Sequence, residues 1–356
     1  MIEEIQILKG NIPLESTKPR QLLYNERSIQ LFVKVVANGI SGWGQIMTGA
    51  INMREPYIAL LERMKEDLIG KDETDILALW SILRRHSHSG GYGVTTGAIS
   101  GIDLALWDIK AKALNTSIPS LFGSSPKKVM RYASLIRYSK PDDVIEVISS
   151  LIDKGYETIK IHQPPEEALT VVKKIRNELS SSIDLMVDLN CALTYEKAKK
   201  FCLSISKYDV RWVEEPMWPP DDFRLLARLN KLVPIAAGEN FFSYFDYVKL
   251  IELDALAVYQ PDLTKIGGIT PSIHILSLLK NNGAAISFHN RPDNSWIGAI
   301  YSANMSSAFD LDALIETPPN RPPDIFRING IVKDKFVNIN GPGSGIEPVK
   351  EIPISL

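Results

Sequence analysis

Three carboxylates, Asp188, Glu214 and Glu239, are the residues whose type and spacing most directly suggest chemistry. Each one ends a short apolar run that is typical of a β-strand, and the two intervals between them are almost equal. Each interval has room for one strand, one helix and two loops, which predicts parallel strands whose carboxyl ends meet at one rim. Oxygen ligands that converge at one point of a rim suit a hard divalent cation, so we predict a Mg²⁺ site formed by these side chains.

Groups that can transfer protons end other apolar runs. Lys160 and His162 lie two residues apart, so both side chains point to the same side of a strand. The ends of three later runs carry Asp262, His289 and Glu316. An aspartate and a histidine on adjacent strands can pair, which raises the basicity of the imidazole. Together with a divalent cation on the substrate carboxylate, these groups suit the removal of a proton α to that carboxylate.

The strands that must position these groups form a repeated pattern in the second part of the chain. Amphipathic helical segments fit between the apolar runs; one of them is predicted to start with Thr270 as N-cap and Pro271 at the first helical position. The helix in residues 294–309 has the weakest pattern. Eight such repeats predict an α/β fold with a closed (β/α) barrel. The eight runs are residues 132–135, 158–162, 185–190, 211–215, 234–239, 255–260, 284–289 and 312–316.

The first part of the chain has strands followed by helices, which predicts a separate α+β domain. Strands are predicted at residues 4–12 and 28–37, with a third near the glycines of 39–44, and helices at 56–68, 75–85 and 96–114. We therefore expect an α+β domain over residues 1–120 and the barrel over residues 121–320. Residues 321–356 are rich in proline and glycine, and we expect an irregular segment that returns to the first domain.

Composition excludes several classes of function. The chain of 356 residues carries 40 basic and 42 acidic residues, a net charge of −2, which does not favour nucleic acid or an anionic membrane as a partner. Its two cysteines imply no disulfide framework, and no apolar run is long enough to cross a membrane. The acidic N-terminus does not look like a signal peptide. We expect a cytoplasmic protein.

The motifs, taken together and in order, resemble the enolase superfamily in its mandelate racemase/muconate lactonizing enzyme-like branch. The resemblance implies a modified TIM barrel with an N-terminal α+β capping domain, and it covers almost the whole chain. The matching segments are Gly101-Ile102-Asp103-Leu104-Ala105-Leu106-Trp107-Asp108, Val187-Asp188-Leu189-Asn190, Trp212-Val213-Glu214-Glu215-Pro216, Ala237-Gly238-Glu239-Asn240, Gln260-Pro261-Asp262, Lys265-Ile266-Gly267-Gly268, Ser287-Phe288-His289 and Glu316.

The resemblance implies a role for each candidate site residue. Asp188, Glu214 and Glu239 would bind Mg²⁺, and Asp262 with His289 would form a dyad on one face of the substrate. On the opposite face, Lys160 and His162 match a Lys-x-Lys pair, although His162 stands where a second lysine is common. Glu316 would hydrogen-bond a substrate carboxylate oxygen. Possible supporting residues around the metal ligands are Asn190, Glu215 and Lys265.

The function implied is the dehydration of a sugar acid of the aldonate type to a 2-keto-3-deoxy acid. A racemase or epimerase of a 2-hydroxy acid uses the same first step and is the alternative, and a non-catalytic binding protein on the same fold is a further one. Whether His162 or His289 is the base stays open at this point. Loops at residues 17–27 and 45–52 would touch the distal end of a small carboxylate substrate, and we expect a homo-oligomer.

Overall fold

A computed structural model describes residues 1–12, 18, 28–47, 53–178, 183–291, 296–319, 326–333 and 335–348. The first part is a three-stranded antiparallel sheet covered by helices, as predicted. The long helix α4 packs on the sheet, and all but a few of its side chains are buried. The elements are β1 (Ile2–Ile12), β2 (Ser28–Ala37), β3 (Ile40–Ile46), α1 (Arg54–Leu68), α2 (Ile76–Arg84), α3 (Ser87–Gly90), α4 (Val94–Ala113) and α5 (Ile118–Leu121).

Glycines allow α4 to approach the sheet closely. A Cβ on Gly44 of β3 would lie 2.0 Å from the backbone oxygen of Gly101, and one on Gly42 would lie 2.0 Å from that of Ala105. Both distances are far below a van der Waals contact, so only glycine fits at these two positions of the strand. Two glycines spaced along one face of β3 thus determine how α4 lies across the sheet.

The second part is a closed barrel of eight parallel strands, which confirms the predicted fold class. The barrel closes where the last strand pairs with the first, with Glu316 opposite Tyr132 in the register. Each strand lies within one of the predicted apolar runs or overlaps it. The strands are β4 (Val129–Ser134), β5 (Thr158–Ile161), β6 (Asp184–Asp188), β7 (Trp212–Glu214), β8 (Ile235–Ala237), β9 (Val258–Tyr259), β10 (Ala285–Phe288) and β11 (Ala313–Thr317).

Helices connect the strands and cover the barrel. Ser243 and Asp246 form a reciprocal capping box at the start of α10, and Asp222 caps α9. The segment with the weakest sequence pattern does form a helix, α12. It is buried almost all round, and a helix with no polar face has little amphipathic signal. The helices are α6 (Pro141–Asp153), α7 (Pro165–Glu178), α8 (Tyr195–Ile205), α9 (Phe223–Asn230), α10 (Tyr244–Glu252), α11 (Ile269–Asn281) and α12 (Ile297–Ala308).

The predicted start of α11 was wrong, because the helix begins two residues earlier than expected. Its N-cap is Gly268, so Thr270 and Pro271 lie inside the first turn. The missing N–H of the proline is still harmless there, because the first four N–H groups of a helix have no partner within the helix. The N–H of Thr270 is satisfied instead by Asp103 of α4, at 3.0 Å. A contact from the other domain has therefore replaced the local cap that the sequence suggested.

The C-terminal region has more regular structure than expected. Strands β12 (Phe326–Ile328) and β15 (Ile346–Pro348) pair with each other, and β13 (Gly330–Lys333) forms a hairpin with β14 (Phe336–Ile339). The hairpin continues the barrel sheet, since β14 pairs with β4. Further on, the backbone N–H of Ser344 donates to the Asp108 carboxylate of α4 at 2.7 Å. The expectation of an irregular segment was wrong, because the pairing partners of these short strands are distant in sequence. The domain limits stay predictions.

Among the described residues, no helix combines the length and the apolar character that a membrane span requires.

Candidate active site

Neighbouring strand ends bring the three predicted metal ligands to one rim of the barrel. Asp188 and Glu214 are direct partners in the register of β6 and β7. Glu214 is paired in turn with Ala236 of β8, and Glu239 follows three residues after it. Asp188 and Glu214 are buried, with side chains 3% and 2% exposed, whereas 17% of the Glu239 side chain is accessible. The parallel register therefore places two carboxylates side by side and a third one strand further along the same rim.

Lys160 contacts three carboxylates, two of which are predicted metal ligands. Its Nζ is 2.6 Å from Glu214 Oε1, 2.8 Å from Glu316 Oε1 and 3.5 Å from Asp188 Oδ2, and its side chain has no solvent exposure. Burial by itself lowers the pKa of Lys160, but Glu214 and Glu316 raise it well above the usual value. Lys160 is therefore held as an ammonium ion that neutralises part of the cluster, and it is poorly suited to accept a proton.

His162 has one occupied and one free ring nitrogen. Its Nε2 lies 3.0 Å from Asp188 Oδ2, which assigns the ring proton to Nε2. Its Nδ1 is buried and has no hydrogen-bond partner among the described residues. Burial raises the pKa of Asp188, but the opposing effect of His162 and Lys160 is larger, so the pKa of this carboxyl is lowered overall. A buried nitrogen with a free lone pair at the site is a candidate proton acceptor.

His289 has both ring nitrogens occupied by carboxylates. Nδ1 is 2.7 Å from Asp262 Oδ2, and Nε2 is in close contact with Glu239 Oε2. Burial lowers the pKa of His289, but Glu239 and the hydrogen bond to Asp262 raise it well above its usual range. The other Asp262 oxygen accepts bonds from the N–H of Thr264 at 2.7 Å and from its hydroxyl at 2.6 Å. The structure therefore brings Asp262 and His289 together, and the imidazole is held as an imidazolium.

Glu316 is fully buried at the end of β11. In addition to its contact with Lys160, its Oε1 accepts a bond from the Ser134 hydroxyl at 2.5 Å. Its Oε2 accepts a bond from the backbone N–H of Asn290 at 3.2 Å. The ammonium group of Lys160, the Ser134 hydroxyl and the Asn290 N–H together fix the orientation of this carboxylate.

Two of the three possible supporting residues, Glu215 and Lys265, meet around an amide that the sequence analysis did not single out. Asn240 Nδ2 donates to Glu215 Oε1 and Oε2, at 2.9 and 3.0 Å, and to Glu239 Oε1 at 3.2 Å. Its Oδ1 accepts a bond from Lys265 Nζ at 2.9 Å. Burial raises the pKa of Glu215 to about 8, and the neighbouring Glu239 adds to this effect. Asn240 therefore joins two carboxylates and an ammonium group, and its position directly after Glu239 was the only signal available.

Glu214 also has partners that sequence reasoning missed. Its Oε2 accepts bonds from Gln260 Nε2 at 2.7 Å and from Trp212 Nε1 at 3.2 Å. Both donors belong to the barrel interior, where their side chains are about 1% exposed. The strand pattern alone predicts buried residues here, but it does not show that their polar atoms converge on one carboxylate.

The loop after β6 has an unusual backbone. Asn190 adopts a φ of 44°, and Glu215, directly after β7, adopts a φ of 39°. The N–H of Asn190 donates to Asp188 Oδ1 at 2.8 Å, and its side-chain Oδ1 is buried without a partner among the described residues. Non-glycine residues with positive φ cost of order 1–3 kcal/mol and concentrate at functional sites.

The net negative charge of the site and its carboxylate oxygens suit a divalent cation. Six carboxylates face two ammonium groups and two imidazoles, so negative charge is in excess. Burial raises the pKa of Glu214 well above its usual value, and the neighbouring Asp188 and Glu316 oppose the relief that Lys160 provides. Among the described residues no group of three acidic, imidazole or thiol side chains is arranged to hold a metal, because Asp188 and Glu239 turn towards the two histidines. The carboxylates are Asp188, Glu214, Glu215, Glu239, Asp262 and Glu316.

The loops expected to touch the distal end of the substrate fall mostly outside the described residues. Of residues 17–27 only Lys18 is described, and residues 48–52 are not. Gln45, at the edge of the second loop, is buried and accepts a bond from the N–H of Gly298 at 3.3 Å.

A capped parallel barrel with a carboxylate cluster and two histidines at its rim is typical of enzymes that act on small molecules at the mouth of the barrel. Comparison with known proteins identifies the family. Residues 11–123 match the mandelate racemase/muconate lactonizing enzyme N-terminal domain, and residues 143–352 match the enolase C-terminal domain-like family. The chain belongs to the enolase superfamily, in its mandelate racemase/muconate lactonizing enzyme branch.

Individual relatives agree with this family. The chain is 30% identical to a D-galactonate dehydratase of Cronobacter sakazakii over 73% of this chain and 71% of that protein. It is similar to an enolase superfamily structure from Polaromonas sp. JS666, with 28% identity, a TM-score of 0.86 and coverage of 98% and 95% of the two chains. It is also similar to an L-talarate dehydratase from Polaromonas sp. JS666 complexed with Mg and L-glucarate, with 26% identity, a TM-score of 0.80 and coverage of 99% and 96%.

Proposed function

We propose that this protein is a Mg²⁺-dependent lyase that dehydrates a sugar acid of the aldonate type to a 2-keto-3-deoxy acid. The observation that carries the proposal is the contrast between two histidines at one rim. His162 has a buried Nδ1 that no described residue bonds, whereas His289 has a carboxylate on each nitrogen. Dehydration needs one group that accepts a proton and another that delivers one. The similarity to dehydratases of two sugar acids supports the same reaction class.

The cation would be held by Asp188, Glu214 and Glu239. When bound, Mg²⁺ supplies positive charge beside the substrate carboxylate, which lowers the barrier to removing the neighbouring α-proton. The excess of carboxylates over cationic groups supports this assignment, as does the magnesium named in the talarate dehydratase structure. Asn240 and Gln260 would keep two of the ligands in place, because each donates to a ligand oxygen.

His162 would accept the C2 proton at its Nδ1. Lys160, the other candidate on this side, is surrounded by three carboxylates and keeps its own proton. Its ammonium group, together with Glu316, would instead orient the substrate carboxylate. The change from the common second lysine to His162 therefore leaves a competent base at this position.

His289 would deliver the proton to the leaving group. With Asp262 holding its Nδ1, the imidazolium would give its Nε2 proton to the C3 hydroxyl, which leaves as water. The bond between C2 and C3 becomes double as the C2 proton and the C3 hydroxyl depart. The resulting enol then takes a proton at C3 and becomes the 2-keto-3-deoxy acid, so the net change is the loss of one water molecule.

The experiment is incubation with Mg²⁺ and a panel of sugar acids in D₂O, with D-galactonate and L-talarate included. We expect 2-keto acid from at least one substrate. We also expect the His289→Asn variant to lose turnover by about 10³-fold or more while Mg²⁺ binding persists, because general acid catalysis typically contributes 10²–10⁴-fold. His274→Asn is the matched control, since His274 is exposed on α11. Unchanged turnover in His289→Asn would remove this residue from the mechanism.

The same experiment separates the alternatives. Deuterium at C2 with inversion and without keto acid would show a racemase or epimerase. Neither exchange nor product over a broad panel would leave a binding protein on the same fold. A small-molecule carboxylate as partner is supported by the L-glucarate named with the talarate dehydratase. The homo-oligomer and the cytoplasmic location stay predictions, to be checked by light scattering and by cell fractionation.

A further inference from the structure

The loop that carries the dyad aspartate is bound on its far side by the capping domain. This loop runs from Pro261 to Gly268, between β9 and α11. At its start, Asp262 depends on Thr264 for two of its hydrogen bonds and on His289 for the third. The orientation of the Asp262 carboxylate therefore follows the conformation of the loop.

Helices α2 and α4 hold the end of this loop through its backbone. The N–H of Gly267 donates to the Ser100 hydroxyl at 2.8 Å, and Trp80 Nε1 donates to the oxygen of Gly267 at 3.2 Å. Ser100 donates its own proton to the oxygen of Thr96 at 2.9 Å, so its oxygen is free to accept from Gly267. Capping-domain side chains thus bond both the N–H and the carbonyl oxygen of Gly267, which belong to two successive peptide groups of the loop.

Asp103 extends this contact to Thr270, in the first turn of α11. It accepts bonds from the N–H of Thr270 at 3.0 Å and from its hydroxyl at 2.5 Å, and Trp107 Nε1 donates to the same hydroxyl at 2.9 Å. A Cβ on Gly268 would lie 2.3 Å from Asp103 Oδ2. Gly268 also has a φ of 89°, a conformation that side chains rarely adopt. The absence of a side chain there is required both by the contact and by the backbone.

All of these bonds except the part-buried one from Trp80 are buried, which gives them more weight than surface contacts. Ser100 and Asp103 are at most 1% exposed and Thr270 is 6% exposed. A buried N–H that loses its acceptor is destabilising, because the group stays out of water without a partner. If the N–H of Gly267 lost its acceptor, the loop would move until this group found another partner. Thr264, three residues before Gly267, would move with it.

We propose that Ser100 and Trp80 are positioning residues of the capping domain that hold the Asp262–His289 pair in its reactive orientation. They touch neither the substrate nor the reacting atoms, and act through the 261–268 loop. The catalytic consequence rests on the proposed function, since it requires His289 to be the acid. The structural consequence, a change in the hydrogen bond between Asp262 and His289, does not.

The test uses the full chain with histidine labelled with ¹⁵N in the ring. The chain has five histidines, so the ring nitrogens give few signals, and the His289→Asn variant identifies those of His289. We expect Ser100→Ala to shift the Nδ1 and Nε2 signals of His289. Trp80→Phe, which removes the donor to Gly267 but keeps an aromatic ring, should shift them in the same direction. Ser302→Ala is the matched control, because Ser302 is buried on α12 and its hydroxyl donates within its own helix, to the oxygen of Gly298.

Turnover gives the second measurement. We expect Ser100→Ala to lower kcat by roughly 10- to 100-fold, the range for small misplacements of a catalytic group, with KM and Mg²⁺ affinity within about twofold of wild type. Wild-type His289 signals in both Ser100→Ala and Trp80→Phe would overturn the proposal. Equal shifts in the Ser302→Ala control would also overturn it, because they would reflect general loosening. If the wild-type chain converts no sugar acid, the proposed function fails, and the ring-nitrogen signals still decide this inference.

Discussion

At the scale of single residues, the site consists of charged side chains that stabilise one another through direct contacts. Lys160 contacts three carboxylates, and each of the two site histidines contacts at least one. A buried charge without a partner is costly, so the groups are stable only as a set. The same reasoning explains why Asn240 and Gln260 matter, since each supplies an uncharged donor where another cation would change the balance.

Replacement of Glu239 by glutamine should weaken Mg²⁺ binding. The amide removes one of three anionic ligands, and we expect the affinity measured by calorimetry to fall by roughly 10- to 100-fold. The exposed Glu252 at the end of α10 offers the matched control Glu252→Gln. Wild-type affinity in Glu239→Gln would reject Glu239 as a ligand.

At the scale of elements, the packing of α4 on β3 depends on missing side chains. Gly44→Ala would bring a methyl group to 2.0 Å from the oxygen of Gly101, in a backbone that cannot yield without moving the helix. We expect a loss of about 3 kcal/mol in the free energy of unfolding, at the upper end of the range for overpacked cores. Urea denaturation measures this value, and Ser41→Ala on the same strand should change it by less than about 0.5 kcal/mol. A small effect of Gly44→Ala would mean that α4 shifts easily.

The contact between α4 and α11 should make stability depend on pH. Burial raises the pKa of Asp103 from 3.8 to about 7, although bonds from Thr270 oppose the shift. The folded chain binds this proton more tightly than the unfolded chain does, so the bound proton stabilises the fold. This contribution to the free energy of unfolding is complete below about pH 4 and is lost as the pH rises through about 7. The loss amounts to several kcal/mol at most, at about 1.4 kcal/mol per pKa unit.

Asp103→Asn should remove this component of the pH dependence. The difference in unfolding free energy between wild type and Asp103→Asn is expected to change in favour of the variant between about pH 4 and 7. Urea denaturation over this range measures it. Asp153→Asn, on an exposed aspartate at the end of α6, serves as the control. Parallel curves for wild type and Asp103→Asn would show that Asp103 stays ionised in the folded chain.

At the scale of the whole molecule, the cation would act on a site built from several strands of one closed sheet. A ligand that binds only the folded chain stabilises it by mass action, by about 2.7 kcal/mol at 100 times its Kd. We expect Mg²⁺ to raise the melting temperature in a concentration-dependent way and EDTA to reverse the rise. The Glu239→Gln variant should require more Mg²⁺ for the same rise. A melting temperature independent of Mg²⁺ in the wild-type chain would contradict preferential binding of the cation to the folded chain.

The strands and their ends were predictable because their signals are local. A run such as Leu185-Met186-Val187 is apolar and ends in a carboxylate, and parallel repeats put such ends on one rim. The bonds of Asn240, Gln260 and Ser100 were not predictable, because each joins residues that are distant in sequence. For the same reason the start of α11 and the strands of the C-terminal region were predicted incorrectly.

The amino-acid sequence alone therefore determined the order of the elements and which chemical groups stand at the ends of the strands, since hydrophobic periodicity and residue type are carried by short segments. Only the tertiary structure decided which of these groups touch, and so which ring nitrogens of His162 and His289 have carboxylate partners. That outcome depends on barrel closure and on the capping helices, whose distances arise from packing across the whole chain.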